Sequence, residues 1–217
     1  MITSGKKEQE HQRMRRLILD AAKELFAKDG FDNVSVRKIA ARIDYSPAAL
    51  YRYFKSKEEL ILSLKEEGMG RFGQMQAQSW NVEDPFERLL EIGRIYLNYA
   101  RSEPEYYDLL FNRSAPSFCD PEKWVGKPHP NFMSFKETVR QCIETGVLGN
   151  VSVDTAVASL WASVHGLASL VATGRLQGNM PDIDMETVFE DVLEFITIPQ
   201  MERGRREMNN EGKVDNS

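Results

Sequence analysis

The stretch that decides the fold is "IAARIDYSPAALYRYFKSKEEL", residues 39–60, in which two breaks separate small, aromatic and basic side chains. Asp44 and Tyr45 mark the first break, where a left-handed backbone is usual and Asp tolerates it better than most residues. Ser46 before Pro47 is typical of a helix start, because serine caps a helix and proline suits its first position. Two short helices of about two turns each, joined by this turn, predict a helix-turn-helix unit.

The residues around this unit also follow helical patterns. Apolar positions upstream predict a first helix that stops at Gly30 and a second helix that Ser35 caps. A fourth helix is expected to open at Ser56, where Glu59 would complete a capping box. Its interior glycines at 68, 70 and 73 predict that it is weak or bent beyond its first turns.

Further helices are expected near 85–101, 105–112, 131–146, 153–173 and 184–198. No internal repeat and no strand pattern is present, so the sequence predicts an all-α protein. We expect a DNA-binding domain over 10–62, a larger helical domain over 63–200, and a disordered polar tail over 201–217.

The helix that begins at Pro47 has two different sides on a helical wheel. Leu50 and Phe54 share the side of Pro47 and are expected to pack inward. Small outward residues suit a major groove, because they let the helix approach base edges while cations and hydroxyls meet phosphates. A packed helical hairpin with core tyrosines and solvated cations is the alternative. The outward and flanking residues are Ala48, Ala49, Tyr51, Arg52, Tyr53 and Lys55.

Ser35, Arg37 and Lys57 lie at helix starts, where backbone N–H groups and cations favour phosphate. Ser46 begins the helix that would enter the groove. We therefore include these four residues in the predicted DNA-binding set.

The segment "SVRKIAARIDYSPAALYRYFKSKEEL" resembles the DNA-binding region of TetR-type transcriptional regulators. The upstream "ILDAAKELFAKDGFDNVSV" is similar to the family's first helix and following link, so the resemblance covers about residues 13–62. Asp44 and Tyr45 depart from the pattern, where Gly-Val is commoner. The positions that agree in one register are Ile39-Ala40, Ser46, Ala48, Leu50-Tyr51, Tyr53-Phe54, Ser56-Lys57-Glu58 and Leu60.

The resemblance implies roles for particular residues. Arg37 would contact a base or a phosphate, and Ala48 and Ala49 would face bases. The DNA backbone would be held by Tyr51, Tyr53 and Lys57. The resemblance also implies a homodimer on a palindromic operator of double-stranded DNA, released by a small-molecule effector, with repression as the usual output and activation as the other.

The later stretch "LWASVHGLASLVATG" resembles TetR-like C-terminal domains that carry a Trp-His-Gly signature, matched by Trp161, His165 and Gly166. Small residues on this helix would allow a close helix approach. By resemblance, they would join the last helix in a four-helix interface across a two-fold axis; a buried monomer core is the alternative. The residues expected on the last helix are Phe189, Val192, Phe195 and Ile196.

An aromatic cluster could line an effector cavity or simply belong to the core. His165 has three open roles: contact with an effector, pairing across a dimer, or a structural place in the core. The candidate effector residues are Tyr106, Tyr107, Phe111, Trp161 and His165, with Trp124 in the nearby Pro-rich loop.

The charge is unevenly distributed along the chain. Residues 1–60 carry 13 Lys and Arg against 9 Asp and Glu, a net of +4, whereas residues 61–217 carry 15 against 24, a net of −9. A basic first part suits a polyanion, and an acidic remainder argues against the second candidate, a non-specific architectural DNA binder. Ordinary fluctuation of composition is the other explanation.

Catalysis and metal binding find little support in the sequence. The three histidines are scattered, and no HExxH, GxSxG, P-loop or CxxC motif occurs, so we expect no enzyme, no cofactor and no metal. Cys119 with His129 leaves a thiolate pair, or a redox or metal sensor, open.

We expect a cytoplasmic protein without a membrane partner. Cys119 and Cys142 do not form a spaced framework, which fits a reducing cytosol. There is no run of about 18 apolar residues, and the polar start "MITSGKKEQEHQR" lacks the apolar centre of a signal peptide.

Overall fold

The computed structural model describes residues 2–112 and 129–198, and every regular element within them is helical. The all-α prediction is therefore confirmed. A 3₁₀ turn at Ala77–Asn81 and a π turn at Asp108–Asn112 supplement the helices. The helices are α1 (Ile2–Asp29), α2 (Val36–Arg42), α3 (Pro47–Leu50), α4 (Lys57–Gln76), α5 (Pro85–Ser102), α6 (Pro104–Tyr107), α7 (Pro130–Glu144), α8 (Val153–Ala172), α9 (Arg175–Asn179) and α10 (185–198).

The chain forms two compact units, and the boundary between them falls inside α4, between Arg71 and Phe72. The first unit contains the residues up to Arg71 and the segment that begins at Glu105. The second unit contains Phe72–Pro104 and the described residues from 129 onwards. The predicted tail over 201–217 lies outside the described residues.

The first unit is built on an apolar core that α1, α2, α3 and the first turns of α4 share. Each Leu, Ile or Phe buried there stabilises the fold by about 1.5–3 kcal/mol. Gly30 ends α1 with a φ of 82°, and its N–H bonds the carbonyl of Phe26 at 2.9 Å. A left-handed residue at this point is the usual helix stop. The core residues are Ile18, Ala22, Phe26, Ile39, Ala40, Leu50, Leu60, Ile61 and Leu64.

Helix α4 is continuous from Lys57 to Gln76 despite its three interior glycines. Gly68 has a packing reason: a Cβ there would lie 2.9 Å from Cδ1 of Tyr106 and 3.1 Å from Cδ1 of Leu110. The glycine therefore lets the 104–112 segment approach α4 closely. The low helix propensity of glycine thus does not interrupt α4, and weakness or bending beyond its first turns stays a prediction.

The second unit is built around α5, α7 and α8, which pack on one another. Arg88 is 8% exposed and donates to the carbonyls of Val82 and Glu83 and to Oε1 of Gln141, at 2.8, 2.8 and 2.9 Å. The core is completed by α10, where Leu193 packs against Gly93. The shared apolar cluster comprises Leu89, Val139, Cys142, Leu148, Ala156, Val157 and Leu160.

Helix α8 is the described helix that is long and apolar enough to cross a membrane, judged by length and composition. Ser159, Ser163 and His165 interrupt its apolar run. Core helices of soluble proteins meet the same criterion. Only 33% of this segment is buried, and exposed residues recur along α8 from Asp154 to Leu170.

Candidate nucleic-acid interface and effector region

The helix-turn-helix geometry rests on two serine caps and one left-handed residue. The Oγ atoms of Ser35 and Ser46 accept hydrogen bonds from the N–H groups of Lys38 and Ala49, each at 3.2 Å. Asp44 has a φ of 58°, as its place in the turn predicts. The chain then returns so that the Tyr45 N–H bonds the carbonyl of Ala40 at 2.9 Å. These local features are confirmed.

The helix after this turn is shorter than the two turns expected. It comprises Pro47–Leu50, and hydrogen-bonded turns carry the chain on to Phe54, whose N–H bonds the carbonyl of Leu50 at 3.0 Å. Leu50 and Phe54 are buried at 1% and 2% exposure. Ala48, Arg52 and Lys55 are exposed, and Ala49 is half-buried. The inward and outward sides therefore lie as the wheel predicts.

The lysine and arginine side chains of the helix-turn-helix and the start of α4 fall into two sets, those that pair with a carboxylate and those that do not. Lys38 Nζ lies 2.8 Å from Asp29 Oδ2, and Arg42 Nη2 lies 3.1 Å from Glu24 Oε2. The hydrogen bond from Lys38 lowers the pKa of Asp29. The other four make no ion pair with any residue in the described ranges. They are Arg37, Arg52, Lys55 and Lys57.

The two flanking tyrosines occupy different surroundings. Tyr51 is 52% exposed, whereas the Tyr53 ring lies 5.0 Å from the ring of His11, centroid to centroid. The carbonyl of Tyr53 accepts a hydrogen bond from Arg15 Nη1 at 2.6 Å, and the Arg15 guanidinium lies 4.1 Å from the Phe54 ring centroid. His11 and Arg15 are positioning residues that the sequence analysis missed. Their i, i+4 spacing on α1 was the available signal.

The start of α4 differs in detail from the predicted capping box. The Oγ of Ser56 accepts from the Glu59 N–H at 3.3 Å, as expected. The Glu59 carboxylate accepts from the N–H of Lys55 at 2.6 Å, one residue before the N–H that a capping box uses. Lys57 occupies the first position of α4.

The predicted effector residues fall in different units. Tyr106 and Tyr107 are fully buried in the first unit, and the Tyr107 ring lies 5.1 Å from that of Phe111. Burial and the neighbouring Glu67 carboxylate raise the pKa of Tyr106 to about 12. Trp124 lies outside the described residues.

Several charged side chains of α1 and α4 lie around Tyr106. Arg16 contacts Glu67, and Arg71 Nη2 lies 2.9 Å from the same carboxylate. Burial opposes ionisation of Glu67, yet hydrogen bonds that include the one from Arg16 lower its pKa. The Lys23 ammonium lies 4.6 Å from the centroid of the Tyr106 ring. Tyr106 is thus a packed part of the first unit.

Trp161 and His165 belong to the second unit, where both meet Tyr96. The Tyr96 hydroxyl lies 3.0 Å from His165 Nδ1, and Trp161 Nε1 donates to the same hydroxyl at 3.5 Å. Burial lowers the pKa of His165, so its ring is neutral at neutral pH. No sequence pattern links Tyr96 to His165, so the sequence analysis missed this residue.

Helices α8 and α10 expose a surface of small and apolar residues. Phe195 is 79% exposed, but Phe189 is 3% exposed and belongs to the core of its own protomer. The expectation that Phe189 faces a partner is therefore wrong, because it lies on the inward side of α10 with Leu193. The exposed small residues of α8 are Ala158, Ser159, Ala162, Ser163 and Gly166.

Cysteine and histidine chemistry finds no assembled site in the described part of the chain. Cys142 is buried, which raises its pKa to about 12. His129 caps α7 by accepting the Asn131 N–H at 3.2 Å, and Cys119 lies outside the described residues. No cluster of three or more potential metal ligands occurs in the two described ranges.

Two short serine-capped helices, joined by a turn with a left-handed Asp44, have the geometry of a helix-turn-helix protein. Residues 18–64 match the family described as "Bacterial regulatory proteins, tetR family", and residues 89–196 match "Tetracyclin repressor-like, C-terminal domain". The chain belongs to the TetR family. It is a transcriptional regulator and not an enzyme.

Relatives and solved structures agree with this family. The chain is 32% identical over 187 residues to the transcriptional repressor AcnR of Corynebacterium diphtheriae, covering 82% of this chain and 90% of AcnR. It is 31% identical over 108 residues to the transcriptional repressor NicS of Pseudomonas putida, covering 49% of this chain and 51% of NicS. The chain thus spans about half the length of NicS.

A solved structure of AibR with isovaleryl coenzyme A and operator DNA shares the fold, with a TM-score of 0.65 and 20% identity. The match covers 84% of this chain and 97% of AibR.

Proposed function

We propose that this protein is a cytoplasmic, homodimeric repressor that binds a palindromic operator and is released by a small-molecule effector. Residues 10–62 would bind DNA, and residues 63–200 would bind the effector and form the dimer. The similar protein AibR has been solved with both operator DNA and isovaleryl coenzyme A, which supports the pairing of these two kinds of ligand.

The observation that carries the DNA-binding proposal is the set of cations left without carboxylate partners among the described residues. Because nearby acidic side chains neutralise Lys38 and Arg42 but not Arg37 or Arg52, the latter two remain available for an external polyanion. Ala48 is exposed on α3 and would let this helix approach base edges.

The assigned contacts follow the exposure of each side chain. Arg37, Tyr51, Arg52, Lys55 and Lys57 would contact phosphates or bases. Ala48 and Ala49 would face bases, while the hydroxyls of Ser35 and Ser46 already cap their helices and would offer backbone N–H groups to phosphate. Tyr53 would act by holding the turn against α1.

The exposed face of α8 supports a dimer. A Cβ added at Gly166 would meet nothing within 4 Å, and small residues on the same helix are exposed. Small residues allow a close helix approach, and burying them together with Phe195 would remove apolar surface from water. Two copies would present two α3 turns to successive major grooves, about 34–36 Å apart or somewhat more.

The Tyr96–His165–Trp161 group supports an effector site in the second unit. It also supports placing the C-terminal domain in the Trp-His-Gly subclass of the family. Effector binding would change the spacing of the two DNA-binding domains. A tenfold preference for one spacing supplies about 1.4 kcal/mol toward it.

Titration of labelled DNA from upstream of the protein's own gene tests the DNA-binding proposal. Fluorescence anisotropy at fixed salt should give affinity at least about 10³-fold higher than for random DNA of equal length. Equal affinity for both duplexes would instead favour an architectural DNA binder, and no binding would refute the proposal.

Size-exclusion chromatography with light scattering tests the dimer. Gly166→Leu should give a monomer, because the added side chain fills the proposed contact but meets nothing in the protomer. Gly178→Leu is the matched control, since a Cβ there also meets nothing within 4 Å. A dimer that survives Gly166→Leu would exclude this face.

A further inference from the structure

A group of uncharged polar atoms is buried without partners where the last turn of α4 meets the first turn of α7. Gln76 is only 3% exposed, and its Nε2 donates to the carbonyl of Asn131 at 2.9 Å. Among the described residues, its Oε1 has no hydrogen-bond partner, and neither has Nδ2 of Asn131 or Oγ of Ser134. Buried polar atoms in native proteins are nearly always bonded, so three in one place need an explanation.

Gly73 gives the Asn131 amide its room. A Cβ at this position would lie 3.2 Å from Oδ1 and 3.4 Å from Nδ2 of Asn131. Any larger side chain would push the amide away from Gln76. The glycine therefore leaves room for the Asn131 amide beside the last turn of α4, where the Asn131 carbonyl binds Gln76.

Aromatic side chains adjoin these polar atoms. Phe72 lies one helical turn before Gln76 on α4, and its ring centroid is 5.7 Å from that of Tyr96. Phe132 follows Asn131, and its ring centroid is 5.7 Å from that of Trp161. Tyr96 and Trp161 in turn meet His165. Four helices of the second unit thus contribute polar and aromatic groups to one region.

None of the side chains that make up this region carries a charge at neutral pH. Gln76, Asn131 and Ser134 do not ionise in this range, and the His165 ring is neutral. In the same unit, the guanidinium of Arg94 is bound to Glu190 at 2.8 Å, and Arg101 contacts Glu186. Recognition of phosphate relies on cations, which the region's described side chains do not supply.

We propose that the effector of this protein is an uncharged molecule with a hydrogen-bond donor beside a carbonyl, as in an amide or lactam, on an aromatic or apolar body. This inference rests on the proposed function. The donor would bond Gln76 Oε1, the carbonyl would accept from Asn131 Nδ2, and Ser134 Oγ can take either role. The aromatic groups would cover the apolar body.

Benzamide is the simplest probe of this chemistry. Isothermal titration calorimetry with the full chain should give a Kd at least tenfold lower for benzamide than for benzoate, which has the same ring but carries a charge. It should also be at least tenfold lower than for isovaleryl coenzyme A, which carries phosphates. Failure of benzamide to bind, or equal or tighter binding of either anion, would overturn the inference.

Two variants test the named atoms. Ser134→Ala and Gln76→Leu should each weaken benzamide binding about tenfold, while Ser102→Ala, at the exposed end of α5, should leave it unchanged. Ser134→Ala should not lower the melting temperature, because it removes an atom that has no partner. Unchanged benzamide binding in both variants, or a large loss of stability in Ser134→Ala, would show that these atoms have another role.

Operator binding is measured separately in the same preparations. If the protein binds its operator specifically but no probe behaves as expected, the effector inference fails and the DNA-binding proposal stands. If benzamide binds as expected but no duplex does, the DNA-binding proposal fails and the assigned benzamide site stands.

Discussion

The two units of the molecule use their cations differently. In the first unit, Arg37 and Arg52 make no ion pair with a described residue, although the same surface holds paired Arg42 and Lys38. In the second unit, Arg94 and Arg101 of α5 bind glutamates of α10. Unpaired cations on an exposed turn serve an external polyanion, whereas paired ones join helices of the same chain. Salt and substitution should therefore mainly change DNA affinity through the first unit, whereas removal of a paired cation in the second unit should change stability.

Salt should produce the largest difference. Each phosphate neutralised contributes about −0.9 to the slope of log affinity against log salt, so a protein with 6–10 phosphate contacts loses about 10³–10⁵ in affinity between 50 and 200 mM. Anisotropy titrations across this range measure the slope for operator DNA. Benzamide binding in the second unit should barely change over the same range. A flat response for DNA would contradict phosphate anchoring by the first unit.

Removal of an unpaired cation should have the second-largest effect on operator affinity. Arg37→Ala or Arg52→Ala should weaken operator binding about tenfold to 100-fold, because each loses a contact worth roughly 1–3 kcal/mol. The melting temperature should change little, since neither side chain pairs with a carboxylate of the described chain. Tyr51→Phe should have a smaller effect of the same kind.

Arg42→Ala is the matched control, because Arg42 lies on the same helix and pairs with Glu24 at 3.1 Å. It should leave operator affinity within about twofold, since surface ion pairs contribute at most about 1 kcal/mol and this one faces α1. Equal losses of affinity in Arg42→Ala and Arg37→Ala would remove the distinction between paired and unpaired cations.

Two glycines of α4 should respond with opposite signs. Gly68→Ala should destabilise the protein by about 1–2 kcal/mol, because the new Cβ would lie 2.9 Å from the buried Tyr106 ring. Gly70→Ala meets nothing within 4 Å and should stabilise it by about 0.5–1 kcal/mol through helix propensity. Urea unfolding monitored by circular dichroism measures both. The same sign in both variants would mean that Tyr106 does not press on α4.

The ion pair between α5 and α10 should give the smallest effect. Arg94→Ala should cost at most about 1 kcal/mol at pH 7, because both side chains are partly exposed, at 33% and 50%. The Arg94 hydrogen bond lowers the pKa of Glu190. The ion pair therefore stabilises the fold above the pKa of an unfolded Glu, about 4.3. This stabilisation is lost as the pH falls through the lower pKa that Glu190 has in the folded protein.

Thermal melts of wild type and Arg94→Ala at pH 7 and pH 3 test this pair. The difference in melting temperature should be present at pH 7 and shrink at pH 3. Arg140→Ala, whose partners Glu137 and Glu144 lie on its own helix, is the control and should have a still smaller effect. A difference that grows at low pH would mean that the carboxylate of Glu190 is not what Arg94 binds.

The sequence predicted the first unit better than the second. Ser35, Asp44, Ser46 and the inward Leu50 all occupy the predicted conformations, because capping, turn geometry and helical sides depend on residues a few positions apart. The second unit departed from prediction at Phe189. The sequence of α10 does not show which of its sides is buried. Phe189 is buried because that side of α10 packs against the rest of the second unit.

The glycines of α4 carry more than a low helix propensity. That propensity predicted a helix weak or bent beyond its first turns, and α4 is continuous to Gln76. The propensity scale describes an isolated helix, whereas Gly68 and Gly73 are positions where Tyr106 and Asn131 come close. Tyr106 and Asn131 are far from these glycines in sequence, so the sequence does not show why glycine is present at these two positions.

The sequence by itself determined that this is a helical protein with a capped, cation-bearing turn for DNA, because those features repeat with the period of a helix. The tertiary structure alone decided which distant residues meet: Arg15 with Tyr53 across 38 positions, Gln76 with Asn131 across 55, and Tyr96 with His165 across 69. Local spacing sets the direction of a side chain on its own helix. It does not set which other helix lies opposite, and that choice depends on how the whole core packs.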